Sequence, residues 1–112
     1  HATAARPLED VLREAGALAN AGRLEEALAV CERGRLERTP SPELFFLTGM
    51  IHQSAGDLDR AEACLHKTLY LDAGHDDALL ALALIAAQRG DERMAETYRQ
   101  SAARALARKE SP

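Results

Sequence analysis

The chain has 112 residues, enough for one ordinary domain, and its net charge of −4 with a pI near 5.5 argues against a phosphate-binding surface and so against nucleic acid. Aromatics are only 4% of the residues, while Ala, Leu, Glu and Arg are plentiful. Such side chains lose little freedom on entering a helix, so the composition favours an all-α fold. No apolar run is long and continuous enough to span a bilayer, which excludes membrane insertion on this reading.

In chain order, His1 to Arg6 is a polar, alanine-rich lead-in expected to fray. The N-terminus lacks the basic start and apolar core of a secretory signal, and a start at His1 rather than Met points to a fragment of a longer protein. Pro7 suits a first helical turn, where its missing N–H does no harm. The first predicted helix covers Leu8 to Asn20, with Leu8, Val11, Leu12, Ala15, Leu18 and Ala19 at i, i+3, i+4, i+7 spacing. Gly22 is placed for a left-handed C-terminal turn. The second helix is expected over Leu24 to Glu37, with Leu24, Ala27, Leu28 and Cys31 inward. Gly34 weakens it slightly but would let another backbone approach closely.

Thr39-Pro40-Ser41-Pro42 is the clearest break, with Ser41 a candidate cap and Pro42 fitting the first helical position. The third helix is expected over Glu43 to Ala55 and ends at Gly56. Asp57 can cap a fourth, Leu58 to Leu71, and Asp72-Ala73-Gly74-His75 is a turn. A fifth helix over Asp76 to Arg89 ends at Gly90, and Leu79 to Ala87 is apolar enough to be buried. Asp91 can cap the sixth, Glu92 to Arg108. This last helix places Met94, Ala95, Tyr98, Ala102 and Leu106 on one stripe and Arg99, Gln100, Arg104 and Arg108 on the other side. The basic cluster with Lys109 is read as favourable charge at a helix C-terminus. A polar outer face on the last helix is what stops a solenoid from growing.

The phrase Gly22-Arg23-Leu24-Glu25-Glu26-Ala27 returns as Gly56-Asp57-Leu58-Asp59-Arg60-Ala61 and again as Gly90-Asp91-Glu92-Arg93-Met94-Ala95, each time after 34 residues. A helix–turn–helix unit at that period resembles the tetratricopeptide repeat. Units at 8–41, 42–75 and 76–109 then follow a lead-in at 1–7 and leave a tail at 110–112. The family's small residue at repeat position 8 is Ala15, Gly49 and Ala83 here, and its alanine at position 20 is Ala27, Ala61 and Ala95. Position 27, also usually Ala, is Gly34, Thr68 and Ala102. The chain departs from the family at the usual Trp of position 4 (Val11, Phe45, Leu79), the Tyr of position 11 (Leu18, His52, Ala86) and the Pro of position 32 (Thr39, Ala73, Ala107). The resemblance implies an all-α fold of six helices, as three tandem units in a right-handed superhelix.

The second and third units carry a narrower likeness. Glu43 to Gly49, Ala61 to Asp72 and His75 to Leu80 resemble the tetratricopeptide extension that follows the catalytic domain in some bacterial chemoreceptor methyltransferases of the CheR type. The most telling parts are Tyr70-Leu71-Asp72, the His75 turn and Leu79-Leu80-Ala81-Leu82-Ala83. This resemblance implies a role in chemosensory signalling, beside an S-adenosylmethionine-dependent enzyme that methylates receptor glutamates. The enzyme itself is not expected in this stretch, because no strand–glycine-rich turn–helix pattern is present.

In the repeat family the first helix of each unit lines a concave groove. Carried over, the groove has Leu12, Phe46, Met50, Leu80 and Leu84 as an apolar floor, Glu9, Glu43 and Asp77 along one rim, and Leu47, Gln53 and Gln88 among its other lining residues. An amphipathic helix with basic groups towards that rim would suit it, with Phe46 and Met50 as adaptable anchors. The alternative is that some of these side chains simply pack against neighbouring helices. Family members that grip a C-terminal carboxylate use Lys, Asn and Arg where this chain has Leu12, Gly16, Leu47, Asp77 and Ala81, so that mode is not expected.

Catalytic chemistry finds little support. Cys31 and Cys64 form no CxxC pair and read as reduced, partly buried small hydrophobes in a cytoplasmic protein. His52, His66 and His75 have no metal-ligand spacing, with His52 expected between helices and the others at a surface and a turn. Glu25-Glu26 and Asp76-Asp77 are helix-start charges, and Ser41, Ser54 and Ser101 lack a positioned base. The expectation is a non-catalytic module with no metal and no cofactor of its own. Its partner would be a protein: a receptor, a signalling component or an attached methyltransferase domain. A free-standing adaptor or assembly factor holding an amphipathic helix is the second reading, and self-association into a homodimer the third.

Overall fold

A computed structural model describes residues 5–111. Among them run six helices and no strand: α1 Leu8–Asn20, α2 Leu24–Leu36, α3 Pro42–Ser54, α4 Leu58–Leu71, α5 Asp76–Gln88 and α6 Glu92–Glu110. The helices pair as three antiparallel hairpins, α1 with α2, α3 with α4 and α5 with α6, and each hairpin packs on the next. The array is extended, 51 × 36 × 20 Å with a radius of gyration of 14.9 Å. A compact chain of this length would give about 13 Å. The first four residues of the expected lead-in lie outside the described residues. Arg6 is held in place, bonding Glu14 at 2.7 Å and offering its carbonyl to Arg38 at 2.8 Å.

One turn is built three times. Gly22, Gly56 and Gly90 adopt φ of +80°, +82° and +83°, the left-handed region that a Cβ disfavours. At the first, the Gly22 N–H donates to Ala19 and the Arg23 N–H donates back to Leu18 at 2.9 Å. The same pair recurs after α3 and α5, with Asp57 donating to His52 and Asp91 to Ala86. This double bond satisfies carbonyls that a helix end would otherwise leave orphaned.

The starts of α3, α4 and α6 are capped as their residue types dictate, while α1 and α2, entered from Pro7 and Arg23, have no side-chain cap. Ser41 Oγ accepts the Leu44 N–H, Asp57 accepts from Arg60, and Asp91 accepts from Met94. A cap not foreseen in the sequence begins α5, where His75 Nδ1 accepts the Ala78 N–H at 3.0 Å. That bond requires a lone pair on Nδ1, so the ring proton sits on Nε2. The Phe46 ring stacks against this imidazole at 4.9 Å and so ties α3 to the start of α5.

The small residues seat the helix pairs. Ala15, Ala27, Ala61 and Ala95 have no exposed surface. A Cβ on Gly49 would lie 3.2 Å from both Cys64 Cβ and Leu65 Cγ, which shows how closely α3 crosses α4. Gly34 accommodates a neighbour as expected, but the neighbour is a side chain and not a backbone: an added Cβ would meet Val11 Cγ1 at 2.6 Å. Thr68 is fully buried, its hydroxyl satisfied by the Cys64 carbonyl at 2.9 Å.

The last hairpin departs from the expected stripe. Met94 and Leu106 are 43% and 47% exposed, while Ala102 and Ala105 pack on Leu79 of α5 with Tyr98 beside them, as the stripe predicts for Tyr98 and Ala102. Small residues let the helices approach so closely that the longer flanking side chains are pushed to the edge of the interface. Helix α6 also continues past Arg108 to Glu110. The two additional residues include Lys109, which bonds Asp76 at the start of α5, and this hydrogen bond holds the Asp76 carboxyl below its ordinary range.

Candidate functional site: two faces of the third helix

Helix α3 presents different residues to two sides of the array. Phe46, Met50 and Gln53 share one side, whereas Phe45, Thr48 and His52 share another. The sets are offset by one to two residues, and two residues turn about 200° around a helix.

On the first side, α3 lies between α1 and α5. Leu12 and Leu47 pack on the core of Val11, Ala15, Ala27 and Leu44. Phe46 and Met50 pack on Ala78, Ala81 and Leu82, and are half-buried. Leu80 and Leu84, one turn apart on α5, are 48% and 52% exposed. They stay uncovered on a helix where seven other residues are buried. Glu9, Glu43 and Asp77 are all exposed in the first turns of α1, α3 and α5, and Gln53 and Gln88 lie near the opposite ends. So the expected floor divides in two: Leu12, Phe46 and Met50, like Leu47 beside them, spend much of their surface on packing, and Leu80 and Leu84 do not.

On the second side, α2, α3, α4 and the α2–α3 connection enclose a cleft of about 390 Å³ that the sequence reading missed. Leu28, Cys31, Leu44 and Phe45 give it an apolar floor, with Thr48 and His52 among its polar groups. Three arginines, Arg35, Arg38 and Arg60, face one carboxylate, Glu32, around it. Arg35 is engaged by Glu32 through two bonds of 3.0 and 2.6 Å. Arg38 donates to the Gly34 and Arg6 carbonyls and lies 3.6 Å from Glu37. Arg60 is the least committed, 75% exposed and 3.7 Å from Asp57. The cleft arises where side chains of separate units meet, so no periodic pattern in the sequence announces it.

Both cysteines are free. Cys31 is buried, and burial pushes its thiol up, only partly offset by a hydrogen bond with Thr48. Cys64 is half-buried at the cleft and is also raised, by burial first and by the neighbouring Cys31 second. Such thiols are poor nucleophiles. His52 lines the cleft and His66 is exposed. Among the described residues no three His, Cys, Asp or Glu side chains converge as a metal site, and no helix is long and apolar enough to cross a membrane.

No protein-family model matches the chain. Its sequence is 40% identical over 93 residues to the probable biofilm formation methyltransferase WspC of Pseudomonas aeruginosa, a match covering 83% of this chain and 22% of that protein. It is 36% identical over 88 residues to the Pseudomonas putida protein of the same description, covering 79% and 21%. The chain thus spans about a fifth of the length of these relatives. Among solved structures, PcrH in complex with the chaperone binding region of PopB superposes with a TM-score of 0.82 at 21% identity, covering 89% of this chain and 81% of that one. MamA superposes with a TM-score of 0.54 at 16% identity, covering 90% and 79%. The fold is that of a tetratricopeptide-type helical array, and the chain resembles a stretch of chemoreceptor methyltransferases.

Proposed function

We propose that this chain is a non-catalytic protein-interaction module that regulates or localises a chemoreceptor methyltransferase in bacterial, cytoplasmic chemosensory signalling. The uncovered pair Leu80 and Leu84, beside half-buried Phe46 and Met50, carries this reading. Apolar side chains at that spacing match the i, i+3/i+4 anchors of an amphipathic helix. Glu9, Glu43 and Asp77 offer carboxylates to the basic groups of such a segment. The similarity to the WspC proteins supports the enzymatic setting. The attached catalytic region would supply the S-adenosylmethionine chemistry, and the array would hold a receptor, a signalling protein or a segment of its own enzyme.

A second reading has its own support. PcrH was crystallised with the chaperone binding region of PopB, so a close structural counterpart of this array holds a segment of another protein. A free-standing adaptor would use the same face. A third, self-association, would draw on the exposed Met94 and Leu106 of α6.

A titration tests the shared core of the first two readings. The probe is a fluorescein-labelled amphipathic helix with leucines on one face and lysines on the other. It should bind saturably, and Leu80→Glu/Leu84→Glu should weaken it by about tenfold or more, since burying even one unpaired carboxylate costs over 1 kcal/mol. Both sites are exposed, so helical circular dichroism should persist. Unchanged affinity in the folded variant would remove the groove from the account.

A further inference from the structure

We propose that the cleft between α2, α3 and α4 is a second binding site, specific for an acidic protein segment that inserts an apolar side chain. It lies on the side of α3 away from the Leu80 and Leu84 face.

Its size comes first. A cavity of about 390 Å³ falls within the roughly 300–1,000 Å³ of ordinary ligand pockets. Its floor of Leu28, Cys31, Leu44 and Phe45 would reward an apolar side chain, and Thr48 and His52 supply the few polar groups that fix orientation.

Charge then selects the occupant. The whole chain is at −4, yet this cleft is lined by three arginines and one carboxylate. Arg35 is neutralised by Glu32, and Arg38 is tied to the Gly34 and Arg6 carbonyls with Glu37 3.6 Å away, so these two shape the wall and Arg60 is the arginine left to a partner. Arg60 keeps its guanidinium exposed, with only a long contact to Asp57, and is therefore the group placed to take a carboxylate. The opposite face carries Glu9, Glu43 and Asp77 in its first turns. The two faces differ in sign, and a single helix separates them. One partner of basic amphipathic character and another of acidic character would dock without competing.

Two seven-residue peptides test this, one alternating Glu with Phe and Leu, and one with Lys in place of each Glu. Each is titrated into the 15N-labelled chain and followed by amide chemical shifts. The acidic peptide should shift the Leu28, Thr48 and Cys64 amides saturably and slow alkylation of Cys64, while the lysine peptide leaves those amides alone. Arg60→Glu, at an exposed position, should reduce the acidic peptide's affinity about tenfold, the effect of removing one charge-assisted bond. Leu80→Glu/Leu84→Glu should not change it. The proposal fails if the shifts centre on Leu80 and Leu84, or if Arg60→Glu binds equally well. It fails too if a glutamate-only peptide binds as tightly, or if the cleft amides shift with protein concentration alone, which would make the cleft a contact between copies of the chain.

Discussion

Cys31 and Cys64 show what a single residue can and cannot disclose. Their spacing excludes a CxxC pair, and their reading as partly buried small hydrophobes agrees with a buried Cys31 and a half-buried Cys64. Their placement in one cleft depends on how α2 meets α4 across α3, which no property of either residue encodes. Their burial has a consequence for stability. Both thiols are pushed up in the fold, so the unfolded chain ionises first as pH rises. Their contribution is fully present below the unfolded thiol value of about 8.5 and is lost as pH climbs from there through the folded values. Denaturant unfolding followed from neutral to alkaline pH should therefore show a steeper decline for the wild type than for Cys31→Ala/Cys64→Ala. Equal declines would mean that the thiols ionise as easily in the fold as outside it.

At the scale of elements, turns were more legible than faces. The three glycines at +80° to +83° declare themselves because only glycine adopts that conformation without strain. The aspartate and serine caps were legible for a similar local reason. His75 was not, since imidazole is an uncommon cap and its role appears only when Nδ1 is seen accepting from Ala78. Met94 and Leu106 misled because periodicity marks a side of a helix and says nothing about how near the neighbour comes. With Ala102 and Ala105 at the contact, α6 sits close to α5 and leaves Met94 and Leu106 at the rim. The turn argument gives a direct expectation. Gly56→Ala should destabilise by about 1 kcal/mol, the left-handed penalty reduced by the lost entropy of the unfolded chain. Chemical denaturation would measure it, and a gain in stability would contradict the turn's assigned role.

For the whole molecule, the repeat fixes more than the fold. Because each hairpin stacks on the next, the three first helices come side by side and their equivalent positions recur along one face. Of the residues expected to line that face, Phe46, Leu47, Met50 and Leu12 are shared with the core, as hydrophobic residues on a packed helix tend to be. Leu80 and Leu84 are left over after packing is satisfied. Phe46 and Met50 occupy the same repeat positions as Leu80 and Leu84, so sequence alone could not separate them; α5 covers the first pair, and no described helix covers the second. This also moves the decisive substitutions away from Phe46, where a charge would disturb the contact with α5, to the α5 pair.

The most direct test of the proposed role is receptor methylation by a WspC-type methyltransferase that carries this array, wild type against Leu80→Glu/Leu84→Glu, with circular dichroism confirming intact helices. A regulatory docking face predicts an altered methylation rate or an altered choice of glutamate in the folded variant. Identical rates and identical sites would contradict it.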